Sequence, residues 1–310
     1  MADSVTVAVV GGKDVARELG KKGTTSDLTL FNAVRDGHAT TIVEPTQYPE
    51  KFAPLLYSLA MADQILFTIP SLSREIAETA ATVDLFATPV TIALGPGVGA
   101  EEIRRAFKGT RLVDAPFVPL EPPKLRELVE GWTAASIDGP VRVPIDHAFP
   151  VKGVGAVALG VVRRGTLRAH EKLRLYPTEK VVEVRSVQVH DVDVPAASAG
   201  ERVGVALKGV EADELERGQQ LAPEGSLTVG TEFPGKEFVA CRYYRGDFGP
   251  GAGWQLLAGL SFVPVQIGPR SGDQIALTSD RPTAFASQDR GFIADLSATT
   301  GPRIVGRLTL

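Results

Sequence analysis

The chain has 310 residues, 44% of them hydrophobic and 23% charged, with a formal net charge of −4. This balance predicts a soluble globular protein of two or three domains, and it excludes general coating of nucleic acid but not a local basic patch. One cysteine, Cys241, excludes an internal disulfide, and no apolar run reaches the roughly 18 residues that span a membrane. We expect a cytoplasmic protein with no membrane partner and no metal site.

Residues 1–138 alternate short apolar segments with amphipathic ones, a pattern typical of a parallel α/β domain. The predicted strands are "VTVAVV", residues 41–44, "DQILFTIP" and "PVTIALGPG", with "TRLVDAP" as an edge strand. The predicted helices are "PEKFAPLLYSLAMA", "SLSREIAETAATVDLF", "AEEIRRAFKG" and "EPPKLRELVEGW". Because ligands of such sheets bind beyond the carboxyl ends of the strands, the segment "GGKDVARELGKKGTTSD" after the first strand is a candidate site.

From Val141 onward the pattern changes to short, Val-rich, alternating strands separated by Gly, Pro and Asp. Residues 139–224 are predicted to form a β-barrel, in which "EADELERG" is the one candidate helix. Residues 225–310 are again rich in predicted strands and favour a second barrel or a sandwich. The sequence therefore predicts three domains: 1–138, 139–224 and 225–310.

Four segments of the middle domain are distinctive: "FPVKGVG", "VRSVQVH", "AGERVGVALKGV" and "LERGQQLA". They resemble the second domain of translational GTPases of the elongation factor Tu type, and within that superfamily they most resemble SelB, the selenocysteine-specific elongation factor. The resemblance implies an α/β GTPase-like domain of the P-loop NTPase fold followed by two β-barrels. With the motif losses described next, it implies a SelB-like protein of the archaeal type with degenerate GTPase motifs.

The sequence departs from the family at each GTPase motif. Matched on Gly20 and Lys21, the phosphate loop G-x-x-x-x-G-K-S/T has Val15 for its first glycine and Lys22 for its metal-binding hydroxyl. Glu44 or Pro45 stands where the family has a metal-binding Asp, and "GPGVG" replaces Asn-Lys-x-Asp. We therefore assign no catalytic residue and expect no efficient GTP hydrolysis, with GTP and magnesium as cofactors only if the site is remodelled.

Two interpretations of residues 11–27 remain open. The segment is either a structural loop and helix inherited from a GTPase fold, or an altered phosphate site. An altered site would use the cations Lys13, Lys21 and Lys22, the hydroxyls of Thr24 and Thr25, and the glycines Gly11, Gly12 and Gly20. A helix beginning near Lys13 would help to bind an anion.

The resemblance also implies a pocket for the amino acid of a charged tRNA, formed by Asp146, His147 and Arg202. Elongation factor Tu has an Asn at the third position, so Arg202 points to the SelB branch. A His and an Arg are suited to an anionic selenolate, whereas a serine hydroxyl is neutral. The alternative is that Asp146 and His147 stabilise a turn and that Arg202 is an exposed strand residue.

The third segment offers one further candidate surface. Its aromatic and arginine residues surround a Gly-rich loop and could contact RNA; they are Arg242, Tyr243, Tyr244, Arg245 and Trp254. A barrel hairpin explains the same pattern.

Three functions remain open from the sequence: a factor that binds tRNA, with or without an amino acid; an unconventional GTPase; and a scaffold that binds neither ligand. A ribosome-linked or other translation-linked protein is the further partner that we expect.

Overall fold

A computed structural model describes residues 4–35, 37–135, 137–246, 249 and 253–310. None of the helices within these ranges combines the length and hydropathy that crossing a lipid bilayer requires. The chain divides into two compact units. Unit 1 contains Met1–Ala134, Cys241–Arg245 and Ala298–Ile304, and unit 2 contains Ala135–Ala240, Gly246–Ser297 and Val305–Leu310.

Unit 1 is an α/β sheet with helices, as the sequence predicts. Its elements are β1 (Ser4–Val10), α1 (Val15–Leu19), β2 (Lys21–Thr25), β3 (Thr29–Arg35), β4 (His38–Glu44), α2 (Ala53–Met61), β5 (Gln64–Ile69), α3 (Arg74–Leu85), β6 (Val90–Leu94), α4 (Ala100–Ala106), β7 (Phe117–Pro119) and α5 (Pro122–Glu130). The strand order is β2-β3-β4-β1-β5-β6-β7, and the run from β4 to β7 is parallel. β1 lies at the centre, which explains why residues 5–10 are all buried.

The structure differs from the sequence predictions at both sides of this sheet. Arg111–Asp114, predicted as an edge strand, form a 3-10 helix because Thr110 accepts a hydrogen bond from the Leu112 amide, and the edge strand is β7. On the other side, β2 and β3 form an antiparallel extension that the sequence analysis did not predict. β2 has the sequence KKGTT, which lacks the apolar alternation of a half-buried strand.

Unit 2 is built from strands. They are β8 (Val143–Val151), β9 (Gly155–Val161), β10 (Thr166–Arg168), β11 (Lys172–Tyr176), β12 (Lys180–Val189), β13 (Val192–Val194), β14 (Ala196–Ser198), β15 (Arg202–Lys208), β16 (Gln220–Ala222), β17 (Thr228–Ala240), β18 (Trp254–Ala258), β19 (Ser261–Pro264), β20 (Gln266–Ser271), β21 (Gln274–Phe285), β22 (Arg290–Asp295) and β23 (Ile304–Thr309), of which Ile304 belongs to unit 1. The "EADELERG" segment forms only a 3-10 turn at Ala212–Glu214, closed by a capping box between Glu211 and Glu214.

The first barrel closes on itself. β11, β16, β8, β9, β15 and β12 pair in that order, and β12 pairs back to β11, so six strands enclose the core. The core side chains are aliphatic and nearly fully buried, among them Val143, Ile145, Val182, Val205 and Leu221. The later strands form a half-barrel in the order β19-β18-β22-β23-β17-β21-β20. The predicted architecture, an α/β domain followed by β-barrel domains, is therefore confirmed, the second barrel as a half-barrel.

A partly buried polar network joins the closed barrel to the half-barrel within unit 2. Both terminal nitrogens of Arg142 donate to the Asp289 carboxylate, at 2.7 and 2.6 Å. Arg142 Nε donates to Gln220 Oε1 at 2.6 Å, and Gln220 Nε2 donates to the Ala284 carbonyl oxygen at 2.8 Å. The Arg142 guanidinium, the Asp289 carboxylate and the Gln220 amide thus have partners, which offsets their partial loss of hydration.

A β-bulge in β8 prepares the site described below. Ile145 pairs with Gly160 and His147 pairs with Leu159, so Asp146 is the additional residue. Gly160 is required opposite the bulge, because a methyl group there would lie 2.4 Å from the Pro144 carbonyl oxygen.

We predict that Gly160→Ala lowers the free energy of unfolding by about 1–3 kcal/mol, because the added methyl overpacks the bulge. Gly204→Ala in β15 is the matched control, since its methyl would meet Leu159 at an ordinary 3.5 Å. Urea denaturation of the two variants measures the difference. Equal stability of the two variants would contradict the assigned close contact.

Candidate functional site

The structure brings the three predicted pocket residues together. Asp146 and His147 lie in β8, Arg202 begins β15, and β9 separates the two strands. Arg202 Nη1 donates to Asp146 Oδ2 at 2.6 Å, and Arg202 Nη2 donates to Asp146 Oδ1 at 2.9 Å. His147 Nδ1 lies 2.7 Å from Asp146 Oδ1. One carboxylate therefore orients both the guanidinium and the imidazole.

The cluster is buried and ionic. The side chains of Asp146, His147 and Arg202 are 1%, 14% and 11% exposed. Burial acts to raise the pKa of the Asp146 carboxyl, but the charge of Arg202 and the hydrogen bonds from Arg202 and His147 outweigh it and hold that pKa below its ordinary value. Asp146 is therefore ionised at neutral pH. The alternative interpretation of Arg202 as an exposed strand residue is wrong, because its side chain is 11% exposed. Asp146 and His147 lie within strand β8 and not in a turn that follows "VPI".

Arg217 is a neighbour of the cluster that the sequence analysis missed. Its Nε donates to the Asp146 carbonyl oxygen at 3.0 Å, across 71 residues of sequence. The adjacent backbone reaches β8 as well, since the Gly218 amide donates to the Ile145 carbonyl and the Ile145 amide donates to the Gln219 carbonyl. Arg217 lies in the "LERGQQLA" segment that carries part of the family resemblance, but only the closed barrel shows that it meets β8.

The predicted phosphate residues fall into two groups. Gly11, Gly12 and Lys13 line a pocket of about 460 Å³ beside the ends of β1, β4 and β5. Gly20 precedes β2, and Lys21 and Thr24 belong to β2; these three are not among the described residues that line the pocket. The structure thus separates the first two glycines from the Gly-Lys pair.

The backbone donor at the start of this loop already has a partner. The Gly12 amide donates to Thr68 Oγ1 at 2.7 Å, and Thr68 Oγ1 donates to the Val10 carbonyl at 3.1 Å. Gly11 has a φ of 102° and packs so closely that a Cβ would lie 2.1 Å from the Thr68 carbonyl oxygen. These glycines are therefore explained by packing against β5.

The helix and the charges around the pocket do not favour a polyphosphate. α1 has five residues, and its N-cap is the carboxylate residue Asp14. Glu44, Glu50 and Glu75 also line the pocket, so its glutamates outnumber its lysine, Lys13. Burial raises the pKa of the Glu44 carboxyl, an effect that a hydrogen bond from the Asp14 backbone only partly offsets. Across the described ranges, no group of three or more His, Cys, Asp or Glu side chains is arranged to hold a metal ion.

Lys21 and Lys22 have a structural explanation. Both are exposed on β2, the edge strand of the sheet, whose pairing with β3 shifts register after Lys22. Charged side chains on an edge strand discourage pairing with a second chain. Their presence beside Gly20 does not require a phosphate.

The candidate RNA surface of the third segment is only partly described. Asp247, Phe248 and residues 250–252 of its Gly-rich loop lie outside the described residues. Arg242 Nη1 donates to the Lys108 carbonyl at 2.9 Å within unit 1. Trp254 is 2% exposed and donates to the Gly249 carbonyl, so its ring cannot stack on a base in this conformation. RNA contact here stays a prediction.

Comparisons with known proteins agree with this geometry. Residues 155–222 match the family model of elongation factor Tu domain 2. The chain is 34% identical to the uncharacterized protein MJ0325 of Methanocaldococcus jannaschii, over 99% of this chain and 100% of that protein. It is 26% identical to the selenocysteine-specific elongation factor of the same organism, over 87% of this chain and 62% of that protein.

The solved structures show the same fold. Translation elongation factor SelB from Methanococcus maripaludis, in complex with the GTP analogue GppNHp, superposes with a TM-score of 0.84 at 19% identity, covering 99% of this chain and 79% of that chain. The fold is thus that of a translation factor, with a GTPase-like domain followed by β-barrels. The chain belongs to the SelB-like members of the elongation factor Tu superfamily.

The lowered pKa of Asp146 leads to a pH-dependent prediction. A carboxyl whose pKa is lower in the folded state contributes stability above its unfolded pKa of about 3.9 and loses it as the pH falls through the folded pKa. Asp146→Asn should therefore lower the free energy of unfolding by about 3 kcal/mol at pH 7, because it leaves a buried guanidinium without its counter-ion. The difference from wild type should shrink below about pH 4.

Urea denaturation between pH 7 and pH 2.5 measures this difference across the range in which Asp146 is expected to titrate. Asp193→Asn, at an exposed carboxylate of β13, is the control and should change stability little. A pH-independent difference for Asp146→Asn would show that Asp146 is not the titrating group.

Proposed function

We propose that this chain is a SelB-like translation factor that binds tRNA, in its aminoacylated form, through Asp146, His147 and Arg202, and that it has lost GTP hydrolysis. The observation that carries the proposal is the buried ionic cluster, in which one carboxylate holds a guanidinium and an imidazole in fixed positions. Removing a carboxylate, a guanidinium and an imidazole from water costs free energy. We take this cost as support for a binding role, because side chains that are fixed in position in this way can bind a polar ligand specifically.

The chemistry favours an amino acid with an anionic side chain. His147 and Arg202 supply hydrogen-bond donors of a kind that binds a selenolate more strongly than a neutral hydroxyl. Asp146 balances the charge of Arg202, so the pocket has no large positive excess that would attract any anion. Discrimination then depends on the position of the donors.

Three observations support the loss of GTP hydrolysis. The Gly12 amide is bonded to Thr68, the Gly-Lys pair at 20–21 is not among the residues that line the pocket, and carboxylates outnumber lysines among the charged lining residues. A bound triphosphate would need free backbone donors, a lysine at its phosphates and a hydroxyl for magnesium. The same observations oppose a GTP-binding factor with a remodelled phosphate loop.

The proposed setting is the cytoplasm, with a ribosome-linked or other translation-linked protein as a further partner. We also propose that the chain has three domains, with boundaries at 138/139 and 224/225. A scaffold without tRNA binding is the outcome if the tests below find neither ligand.

The tRNA proposal predicts that the protein slows hydrolysis of an aminoacyl ester. Wild type should protect selenocysteinyl-tRNA more than seryl-tRNA, and Arg202→Lys should reduce the protection about tenfold, because lysine keeps the charge but cannot form two parallel bonds. Arg174→Lys is the matched control, since Arg174 is a strand arginine of the same barrel that pairs with the exposed Glu224. The proposal is wrong if both esters hydrolyse equally fast with and without the protein.

The nucleotide proposal predicts that titration with GTP or GDP, with or without magnesium, gives no heat of binding up to millimolar concentration. Lys13→Ala and Lys21→Ala should behave as wild type does, because on this proposal no phosphate binds in the pocket that Lys13 lines, and Lys21 is not among the lining residues. Isothermal titration calorimetry on the full chain makes the measurement. Micromolar binding that is lost in Lys13→Ala would establish a remodelled phosphate site instead.

A further inference from the structure

Arg303 makes an unusually complete set of contacts within unit 1. It lies in Ala298–Ile304, a segment that belongs to unit 1 although the chain on both sides of it belongs to unit 2. Arg303 Nε donates to Glu78 Oε1 at 3.0 Å and Nη2 donates to Glu78 Oε2 at 2.6 Å. The Arg303 amide donates to Glu78 Oε1 at 2.9 Å, and Nη2 also donates to the Pro49 carbonyl at 3.0 Å.

Aromatic side chains surround the same guanidinium. It lies 4.8 Å from the centre of the Phe52 ring and 5.8 Å from the centre of the Tyr48 ring, within the range of cation–π attraction. The Tyr48 hydroxyl lies 3.1 Å from Glu78 Oε2 and accepts a hydrogen bond from Thr79 Oγ1 at 3.2 Å. One arginine thus contacts the loop at 48–52 and, through Glu78, the first half of α3.

The ion pair is well shielded. The side chains of Arg303 and Glu78 are 20% and 12% exposed. Burial acts to raise the pKa of the Glu78 carboxyl, but the hydrogen bonds and the charge from Arg303 outweigh it, so the pKa lies below its ordinary value and Glu78 is ionised at neutral pH. A second bond, from Arg74 Nη2 to the Thr299 carbonyl at 3.3 Å, joins the start of α3 to the same segment.

These contacts act on the walls of the pocket that contains Gly11, Gly12 and Lys13. Tyr48 and Pro49 line one part of that pocket, and Glu75 and Ile76 of α3 line another. In GTPases, loops around the phosphates become ordered through the γ-phosphate and magnesium and are released after hydrolysis. In this chain an arginine side chain contacts one wall directly and the other through Glu78.

We propose that Arg303 is a built-in brace that takes the ordering role of a nucleotide: it holds residues 48–52 and the first half of α3 in one conformation whether or not a nucleotide is present. The inference rests on the proposed loss of nucleotide control and adds the residue that replaces it. It predicts that the pocket does not switch between two states.

Hydrogen–deuterium exchange on the full chain tests the brace, with and without GTP and magnesium. Wild type should exchange slowly at 48–52 and 74–80 and should not respond to GTP. Arg303→Ala should exchange about 10- to 100-fold faster in these two segments, because it loses the charged hydrogen bonds, and Arg303→Lys should fall between the two.

Arg142→Ala is the matched control. Arg142 and Asp289 also form a two-bond pair and are 18% and 21% exposed, but they lie in unit 2, so exchange at 48–52 and 74–80 should stay as in wild type. If Arg303→Ala does not fold, Glu78→Gln provides the same comparison, since it keeps the side-chain volume and removes the partner charge.

Two results would overturn the brace: unchanged exchange in the variant at Arg303 or Glu78, or GTP-dependent slowing at 48–52 in wild type. A failure of the proposed function is recognised separately. It is measured by ester hydrolysis and calorimetry, neither of which involves a change at Arg303.

Discussion

The ion pair between Asp146 and Arg202 is the interaction on which the candidate pocket depends. A carboxylate that is 1% exposed is tolerated in a barrel core only because a guanidinium and an imidazole bond to it. The pair joins β8 to β15 across β9, and the bulge at Asp146, with Gly160 opposite, is the backbone feature that accommodates it. The geometry of the candidate pocket and the stability of the barrel therefore depend on the same ion pair. A substitution of Asp146 or Arg202 is expected to change both the pocket and the stability.

Unit 1 shows the opposite arrangement. Two polar groups beside its pocket have partners within the protein: the Gly12 amide donates to Thr68 Oγ1, and Arg303 pairs with Glu78 of α3. The sheet does not need a ligand to form, because its central strands are apolar and buried on both faces. An α/β domain of this kind can keep its fold without nucleotide chemistry, since fold and function depend on different residues.

The sequence predicted the parts of this architecture that follow from local pattern. Apolar runs such as residues 5–10 indicated the buried strands, and alternating valines indicated the barrel. The resemblance to SelB supplied Asp146, His147 and Arg202, which the structure brings into contact. Arg217 and Arg303 could not be found in this way, because their partners lie 71 and 225 residues away and no local pattern encodes such pairs.

Local exceptions account for the remaining differences. β2 is polar on both faces and forms because it can pair with the edge of β3. Its sequence therefore lacks the alternation of polar and apolar residues that predicts a strand. Arg111–Asp114 form a 3-10 helix because two side chains bond to its backbone in competition with strand pairing: Thr110 accepts from the Leu112 amide, and Asp84 of α3 accepts from the Arg111 amide. Both are cases in which context overrides the apolar pattern.

The nucleotide dependence of tRNA binding tests the central claim most directly. Affinity of the full chain for aminoacyl-tRNA is measured without nucleotide, with GDP, and with GTP and magnesium. The account predicts the same dissociation constant in all three conditions, because the pocket at Asp146 is pre-formed and unit 1 does not switch. Tight binding that appears only with GTP would contradict it and would identify the chain as a nucleotide-controlled factor.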